Sequence, residues 1–575
     1  MQTLSKMVLV TICLLYLAGC QTIDRAGHTT AQTARSAQGM AATAQPMATR
    51  AARSILEAGG NAADAAIAAA FVLAVVEPTM SGIGGRSQIL VRTQTGVYAV
   101  YNGMTQIPAA YVRPDTLPAN GYGTIATPGV IAALNRLHRE HGSLSLSTLM
   151  APAIELAEKG FEVLPGEAAR HLAGLKDFKD NQGFQQSFLK PDGTTYLAGE
   201  WLRQPELART LKRLSSAGLE DFYSGAIAAS IVADLQENGG YVTAQDLLDY
   251  VAADARYVST RYRDYEIHSM AAPGGGGLVI KALNILENFA AGSLTNQQWG
   301  AVLAQAVAMA IDSMRMDYTE TDLELVMSKE WASVQASQII LPPAAEEELA
   351  PLVSDTKVSM DWTGASWGEE SHHTTHFVTA DCSGMLVSAT QTVGPLFGSK
   401  VISRDLGFVY ASTMGTYLSA SAQAPGSQPR TTIAPTLVTK NGEPILVLGA
   451  AGGLRILSAI VQSISRHVDQ GLPLAEAIAA PRVHPVYEND PRTGERLIQM
   501  TKFQAETSPG IGWQPADLQA WEAQGFTVTA NDKTGAFGRV HAILKSDGGW
   551  LGVADPDWEG TAEGASRSKC AAENH

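Results

Sequence analysis

The run His373-Thr374-Thr375-His376 carries the residue types from which a catalytic centre could be built. A threonine hydroxyl is a weak nucleophile and needs a base beside it. One source of that base is the threonine's own α-amine, whose unperturbed pKa of about 7.7–8.0 suits proton transfer near neutral pH. That amine exists only once the chain is cut on the N-terminal side of the threonine. Thr374 lies deep inside the chain, after a polar stretch and at the start of a strand-like run. This is the arrangement that a self-cleaving precursor would need, with its cut between His373 and Thr374. The motif alone is short and is also an ordinary strand start, so the surrounding residues must decide.

Thr375 to Ala380 and Met385 to Thr392 are two strand-like runs joined by Asp381-Cys382-Ser383-Gly384, a composition suited to a hairpin turn. A turn centred between Cys382 and Ser383 places Thr374 opposite Gln391 and one position from Thr392, with cross-strand neighbours about 5 Å apart. A second hydroxyl there would hydrogen-bond the nucleophile and its amine. Further on, the apolar strand Ile445 to Gly449 runs into Ala450-Ala451-Gly452-Gly453. Paired glycines after a strand free backbone N–H groups to point at one spot, as an oxyanion hole requires. No Gly-Lys-Ser/Thr follows, which excludes a phosphate loop. His372 and His376 have the i, i+4 spacing of metal ligands, but on a strand that spacing does not converge and no third ligand is evident. Neither a metal nor a cofactor is expected.

These residues need a scaffold. The chain has 575 residues, 45% of them hydrophobic and 17% charged, which describes a globular protein with a sizeable core. A net charge of −15 leaves nothing to neutralise phosphates and excludes a nucleic-acid partner. Arg50 to Ala58 reads as a helix ended by Gly59-Gly60, and Asn61 caps a second, apolar helix from Ala62 to Val76. Ser81-Gly82-Ile83-Gly84-Gly85 is a tight turn leading into a strand at Gln88 to Val91. Ala151 to about Glu347 reads as mostly helical. Leu341 to Glu370 is irregular, with prolines, an acidic cluster and tryptophans in a Gly/Ser setting, and suits an exposed lead-in to a cleavage site. After it strands dominate: Thr374 to Ala380, Met385 to Val393, Thr436 to Thr439 and Ile445 to Gly449.

The N-terminus reads as a targeting segment. Lys6 precedes an apolar run from Met7 to Leu17, too short to span a bilayer, that ends in Leu17-Ala18-Gly19-Cys20. Small residues before a cysteine resemble a bacterial lipoprotein signal, with Cys20 lipidated as the mature N-terminus and the chain anchored in the cell envelope. Gln21, rather than Asp, points to the periplasmic face of the outer membrane. Gln21 to Gln45 is rich in Thr, Ala, Gln and Ser and reads as a flexible tether. Cys382 and Cys570 remain, and the sequence does not decide whether they pair.

Several ordered blocks together resemble the γ-glutamyltransferases, which are N-terminal-nucleophile hydrolases. They are Gly59 to Ala66, Glu77 to Gly85, Thr127-Pro128-Gly129, Phe222 to Gly225, Thr374-Thr375-His376, Gly452-Gly453 and Ala554-Asp555-Pro556. The resemblance implies an α+β fold of four layers, αββα, self-cleaved into intertwined subunits. The chain would then divide into a signal at 1–20, a tether at 21–45, a large subunit at 46–373 and a small catalytic subunit at 374–575. It implies Thr374 as nucleophile, Thr392 as its partner, Gly452 and Gly453 as oxyanion glycines, and Thr431 and Thr432 lining the acyl-donor site. The reaction would form an acyl-enzyme from a γ-glutamyl compound such as glutathione, or from a related acyl amide, and pass the acyl group to water or an amine. The alternative is a non-catalytic surface lipoprotein that keeps the fold for binding.

The substrate reader departs from the family. Where the family clamps the donor's α-carboxylate with an arginine four residues before a proline, Met104 precedes Pro108. Where it holds the α-ammonium with an asparagine and an acidic block, the aligned positions are Gly394 and Ala411 to Tyr417, with Thr413 and Thr416 among them. An acyl group other than glutamyl is therefore expected, unless a charge such as Arg86 or Arg404 has taken over the role.

Overall fold

The computed structural model describes residues 32–178, 181–313, 325–343, 373–403, 405–418, 424–489, 496–508 and 512–568. Two antiparallel sheets of seven strands form its centre. The first has the order Thr561–Gly564, Gly39–Thr43, His373–Asp381, Leu386–Gly394, Arg86–Arg92, Tyr98–Gly103, Ala253–Asp254. The second runs Thr33–Ser36, Gly549–Ala554, Arg539–Ser546, Glu443–Ala451, Thr436–Lys440, Tyr265–Met270, Tyr257–Tyr262. Their facing sides share one core, in which Met40, Leu90, Val378 and Leu386 of the first sheet meet Leu437, Val447, Ile543 and Trp550 of the second. Strand side chains alternate with period two, so the residues between them in sequence point outward. Phe377, Ala389, Ile89 and Val91 pack with the helices Pro46–Glu57 and Ala62–Val76. On the far side, Val438, Leu446 and Leu448 pack with Gly276–Leu286, Asn296–Asp312 and Arg455–Val468. The result is a four-layered αββα sandwich, the layering that the resemblance implied.

The helix Ala62–Val76 is buried along its whole length. It is apolar on every side because it lies between other helices and the first sheet. Its start is fixed by a capping box: Asn61 accepts from the Asp64 backbone N–H, and Asp64 accepts from that of Asn61. The buried Asp64 carboxylate also takes the backbone N–H groups of Ser143 and Leu144. Asp381, at the hairpin that follows the Thr374 strand, accepts from the Ala62 N–H. The helix and the strand that carries Thr374 are thus tied end to end.

One expectation is overturned. The tether read over Gln21 to Gln45 is wrong from Thr33 onward, because Thr33–Ser36 and Gly39–Thr43 are strands of the two sheets. Gly39–Thr43 pairs directly with His373–Asp381, Phe377 against Thr43 and Asp381 against Gly39. Its residues are small and all buried, and a strand covered on both faces shows no polar alternation to betray it. Ala151 to Glu347 is mostly helical among the described residues, as expected, though Tyr257–Tyr262 and Tyr265–Met270 form a hairpin at the edge of the second sheet. The irregular stretch up to Glu370 lies largely outside the described residues, as do Cys20 and the rest of the signal.

The strand assignment makes a stability prediction. Ala42 is fully buried between the sheets, so Ala42→Asp should lose roughly 3–5 kcal/mol through an unpaired buried carboxylate. Thermal or urea denaturation reads this directly. A change within about 0.5 kcal/mol, the scale of a surface position, would restore the tether reading.

Candidate active site

The hairpin that carries Thr374 is turned by Asp381, whose side chain accepts from the backbone N–H groups of Ser383 and Met385, with Gly384 at φ +92°. This shifts the register by one residue from the expected one. Thr375 pairs with Gln391 and His376 with Thr390, and the ladder is irregular between His373 and Thr375. One step beyond Thr375, Thr374 therefore meets Thr392 rather than Gln391. The Thr374 hydroxyl donates to Oγ1 of Thr392 at 3.3 Å. The Thr392 hydroxyl in turn donates to the carbonyl oxygen of His373 and accepts from the Gly394 N–H at 2.9 Å. One hydroxyl thus touches both the Thr374 hydroxyl and the His373 carbonyl.

The face is set by the same periodicity. Val378 and Ala380 lie in the inter-sheet core, so Thr374 and His376 point inward as well. The His376 Nδ1 is 2.7 Å from Oγ1 of Thr390, and its ring fits because residue 449 is a glycine, whose Cβ would stand 2.3 Å away. Burial, and then the neighbouring His541, hold His376 well below its usual pKa, which keeps it neutral. His372, its proposed companion at metal spacing, lies outside the described residues, among which no cluster of three or more metal-binding side chains occurs.

The second sheet brings the glycines. Glu443–Ala451 ends at Gly452 and Gly453, with φ of +132° and +62°. A Cβ on Gly452 would stand 2.9 Å from the Gly538 Cα, so the close approach needs glycine. Neither glycine's N–H donates to a carbonyl of the described residues, which leaves both donors for another acceptor. Thr432 donates to the Gly453 carbonyl at 2.7 Å, and the Thr431 N–H donates to the Pro273 carbonyl at 2.8 Å. Beyond Gly538, Arg539 donates to the Thr374 carbonyl at 3.2 Å. The glycine turn, the Thr431-Thr432 loop and the nucleophile strand are in this way joined through a short chain of contacts.

Arg539 was not singled out by the sequence, because only the fold brings residue 539 to residue 374. It belongs to a buried charged assembly. The Trp558 ring is flanked by Arg539 at 4.1 Å and by Arg170 at 4.6 Å. Arg170 pairs with Glu167 at 2.6 Å, and Arg482 pairs with Asp555 at 2.7 Å. Burial pushes the Glu77 carboxyl up to about 7 against the pull of Arg170, and burial lowers Arg539 to about 10.

The residues at the departures from the family fall in different places. Met104 is fully buried, and its carbonyl accepts from the Gln428 side chain at 3.3 Å. Thr413 is buried and donates to Thr105 at 3.0 Å. Gly394 has φ +99°, and Arg86 lies beside it. Thr416 is exposed, tied by its N–H to the Pro118 carbonyl, and is not drawn in with the others. Arg404 lies outside the described residues. Cys382 is disulfide-bonded, with its partner outside the described residues.

Comparison with known proteins was made against this geometry. The family model described as Gamma-glutamyltranspeptidase matches residues 48–565. A glutathione hydrolase proenzyme of Pseudomonas sp. (strain A14) is 30% identical, over 84% of this chain and 86% of its own length. An Acylase ACY 1 proenzyme of Pseudomonas sp. (strain V22) is also 30% identical, over 78% of this chain and 83% of its own. Among solved structures, the cephalosporin acylase from Bacillus halodurans superposes with a TM-score of 0.79 at 28% identity, covering 95% of this chain and 98% of the other.

The two contacts of the Thr392 hydroxyl generate a kinetic prediction. Thr392→Val keeps the side-chain shape and removes the donor to the His373 carbonyl. Conversion of the full-length chain into two fragments, followed on a denaturing gel, should slow about a hundredfold, the scale of one lost oxyanion donor. Conversion at the wild-type rate would make the hydroxyl a spectator.

Proposed function

The chain belongs to the gamma-glutamyltranspeptidase family, and from that premise we propose that it is a self-processing amidase whose nucleophile is Thr374. It is an enzyme of the N-terminal-nucleophile hydrolase type. The observation that carries the proposal is the relay from the Thr374 hydroxyl to Thr392 and on to the His373 carbonyl.

In the uncut chain, Oγ1 of Thr374 attacks the His373 carbonyl carbon while the Thr392 hydroxyl stabilises the charge that develops on the oxygen. The His373–Thr374 C–N bond breaks, and the nucleophile's proton passes to the departing nitrogen, which becomes the α-amine of Thr374. Water hydrolyses the resulting ester and frees the new N-terminus. Thereafter that amine is the base. It takes the Thr374 hydroxyl proton as Oγ1 attacks an acyl amide, and it returns the proton to the leaving amine. The two free N–H groups of Gly452 and Gly453 suit the tetrahedral oxyanion. The nearby Arg539 guanidinium favours the unprotonated amine, the form a base needs. Relatives bear the names glutathione hydrolase and acylase, and they support an acyl donor that is either a γ-glutamyl compound such as glutathione or a related acyl amide. Acceptors are water or an amine.

The test is direct. Purified wild-type protein should give two fragments, the smaller with Thr374 as its first residue by N-terminal sequencing. Thr374→Ala should remain full-length and inactive. A wild-type chain that stays intact yet hydrolyses amides would overturn the reading.

The location proposed is the periplasmic face of the outer membrane, held by lipid on Cys20. The Leu17-Ala18-Gly19-Cys20 run supports it, as does a disulfide-bonded Cys382, which suits an oxidising compartment. No helix among the described residues is long and apolar enough to cross a membrane. Cys20→Ala should move the protein from the membrane to the soluble fraction, and a mature mass without acyl chains would count against the anchor.

A further inference from the structure

A stack of charged and aromatic side chains leads to Thr374 from the helix Pro165–Phe178. Arg170 on that helix donates to Glu167 through Nη2 at 2.6 Å and through Nε at 3.0 Å. Its Nε also reaches Oγ1 of Thr79 at 3.0 Å, and the Thr79 hydroxyl donates to the same Glu167 carboxylate at 2.7 Å. Fixed in this way, the Arg170 guanidinium lies over the Trp558 ring, 4.6 Å from its centre. Arg539 lies over the same ring at 4.1 Å and donates through Nη2 to the Thr374 carbonyl at 3.2 Å.

The ring at the middle of this stack is tightly enclosed. Trp558 is 1% exposed and packs with Ala44 and Met80. Gly535, at φ +69°, passes so near that a Cβ there would stand 2.8 Å from a ring carbon. The Met80 carbonyl accepts from the N–H of Val393, the residue after Thr392, at 3.2 Å. Arg539, by contrast, forms no ion pair among the described residues. Its guanidinium is fixed by the Thr374 carbonyl and the Trp558 ring. The negative face of an indole is the strongest aromatic seat for such a cation.

We infer that Trp558 is a positioning residue of the reaction: it holds the Arg539 guanidinium on the Thr374 carbonyl and so keeps a cation beside the amine that serves as base. The inference rests on the reading of Thr374 as nucleophile. A residue's nitrogen and carbonyl oxygen are three bonds apart, so a guanidinium on that carbonyl stands within about 7 Å of the Thr374 nitrogen. A cation so placed disfavours the ammonium form and leaves the amine ready to take a proton. Other charges face the assembly. Glu77, Arg170, Asp555 and Asp557 act on Arg539, Arg482 pairs with Asp555, and Arg86 pairs with Thr392 in the ladder. Burial holds His376 and His541 low, so both stay neutral. Glu77, which burial raises to about 7, titrates in the amine's own range.

The experiment profiles kcat/KM against pH, per processed active site, on γ-glutamyl and glutaryl 4-nitroanilides. The proteins are wild type, Arg539→Met, Trp558→Leu, Trp558→Phe and the double variant Arg539→Met/Trp558→Leu, with Trp558→Leu repeated in a Glu77→Gln background. Loss of the cation raises the amine's pKa, so the acid limb should move to higher pH, by about one unit in Arg539→Met. Trp558→Leu should move it the same way, the double variant no further than Arg539→Met alone, and Trp558→Phe should restore much of the wild-type limb. A Trp558→Leu protein that melts earlier but keeps the wild-type limb would reduce the ring to packing and overturn the inference. A shift that vanishes in the Glu77→Gln background would assign the limb to Glu77 and overturn it equally. The amine is also titrated without turnover, from the pH dependence of its acetylation by N-hydroxysuccinimidyl acetate, read by mass spectrometry on the N-terminal peptide of the smaller fragment. An amine whose titration ignores both Trp558 and Arg539 would sink this inference and leave the nucleophile standing. A protein with no Thr374 N-terminus would sink both.

Discussion

The register of one hairpin decides what this protein can do. A strand's side chains alternate between faces, so slipping the pairing of His373–Asp381 and Leu386–Gly394 by one residue would send Thr392 to the opposite side of its sheet from Thr374. Three features resist that slip. Asp381 fixes the turn through its own side chain. Gly39–Thr43 and Arg86–Arg92 clamp the hairpin from both sides. Gln391, on the other face, donates to the Ala70 carbonyl of the buried helix. The irregularity between His373 and Thr375 falls at the proposed scissile bond, so the ladder is regular up to Thr375 and departs from regularity beyond it.

Much of this was legible in the sequence, and the failures share a cause. Asn61 as a cap and the span Ala62–Val76 follow from local rules, and the structure has them at those positions. The strands around Thr374, Thr392 and Gly449 were visible because apolar runs bounded by turn residues are local signals too. Gly39–Thr43 was missed because a strand buried on both faces, and built of small residues, carries no alternation. The hairpin Tyr257–Met270 was missed because it fills an edge, where pattern is weak. The one-residue error in register came from placing the turn by symmetry rather than by the hydrogen bonds of Asp381. Arg539 and its neighbours could not be found at all, since their meaning depends on contacts between residues hundreds of positions apart.

Those distant charges shape the site's cost. Glu77 sits with Arg170 and Arg539 in a dry interior, and burial raises its carboxyl from 4.5 to about 7. A carboxyl raised in the folded state contributes stability below its unfolded pKa and loses that contribution as pH rises through about 7. Near neutrality, then, this group works against the fold. Arg539 is held in the same assembly and braces the Thr374 carbonyl. Local instability is retained beside a buried cation that holds the proposed nucleophile, a trade between function and stability common at active sites.

The order of strands has a consequence for the life of the molecule after cleavage. Gly39–Thr43 lies between Thr561–Gly564 and the nucleophile strand, Arg86–Arg92 borders Leu386–Gly394, Thr33–Ser36 borders Gly549–Ala554, and Tyr265–Met270 borders Thr436–Lys440. Each of these seams joins a segment before Thr374 to one after it. With the backbone severed there, as proposed, every seam would become a contact between separate polypeptides. The uncut chain assembles them as a unimolecular event, with the loop-closure entropy of one covalent chain. The severed pair, once melted, faces a bimolecular search whose success depends on concentration. Cleavage at that bond would therefore make the fold harder to regain once lost, and its persistence would lean on the unfolding barrier. A protein cut in this way would be a product of its own history, with the intact precursor as the form in which its architecture is most readily reached.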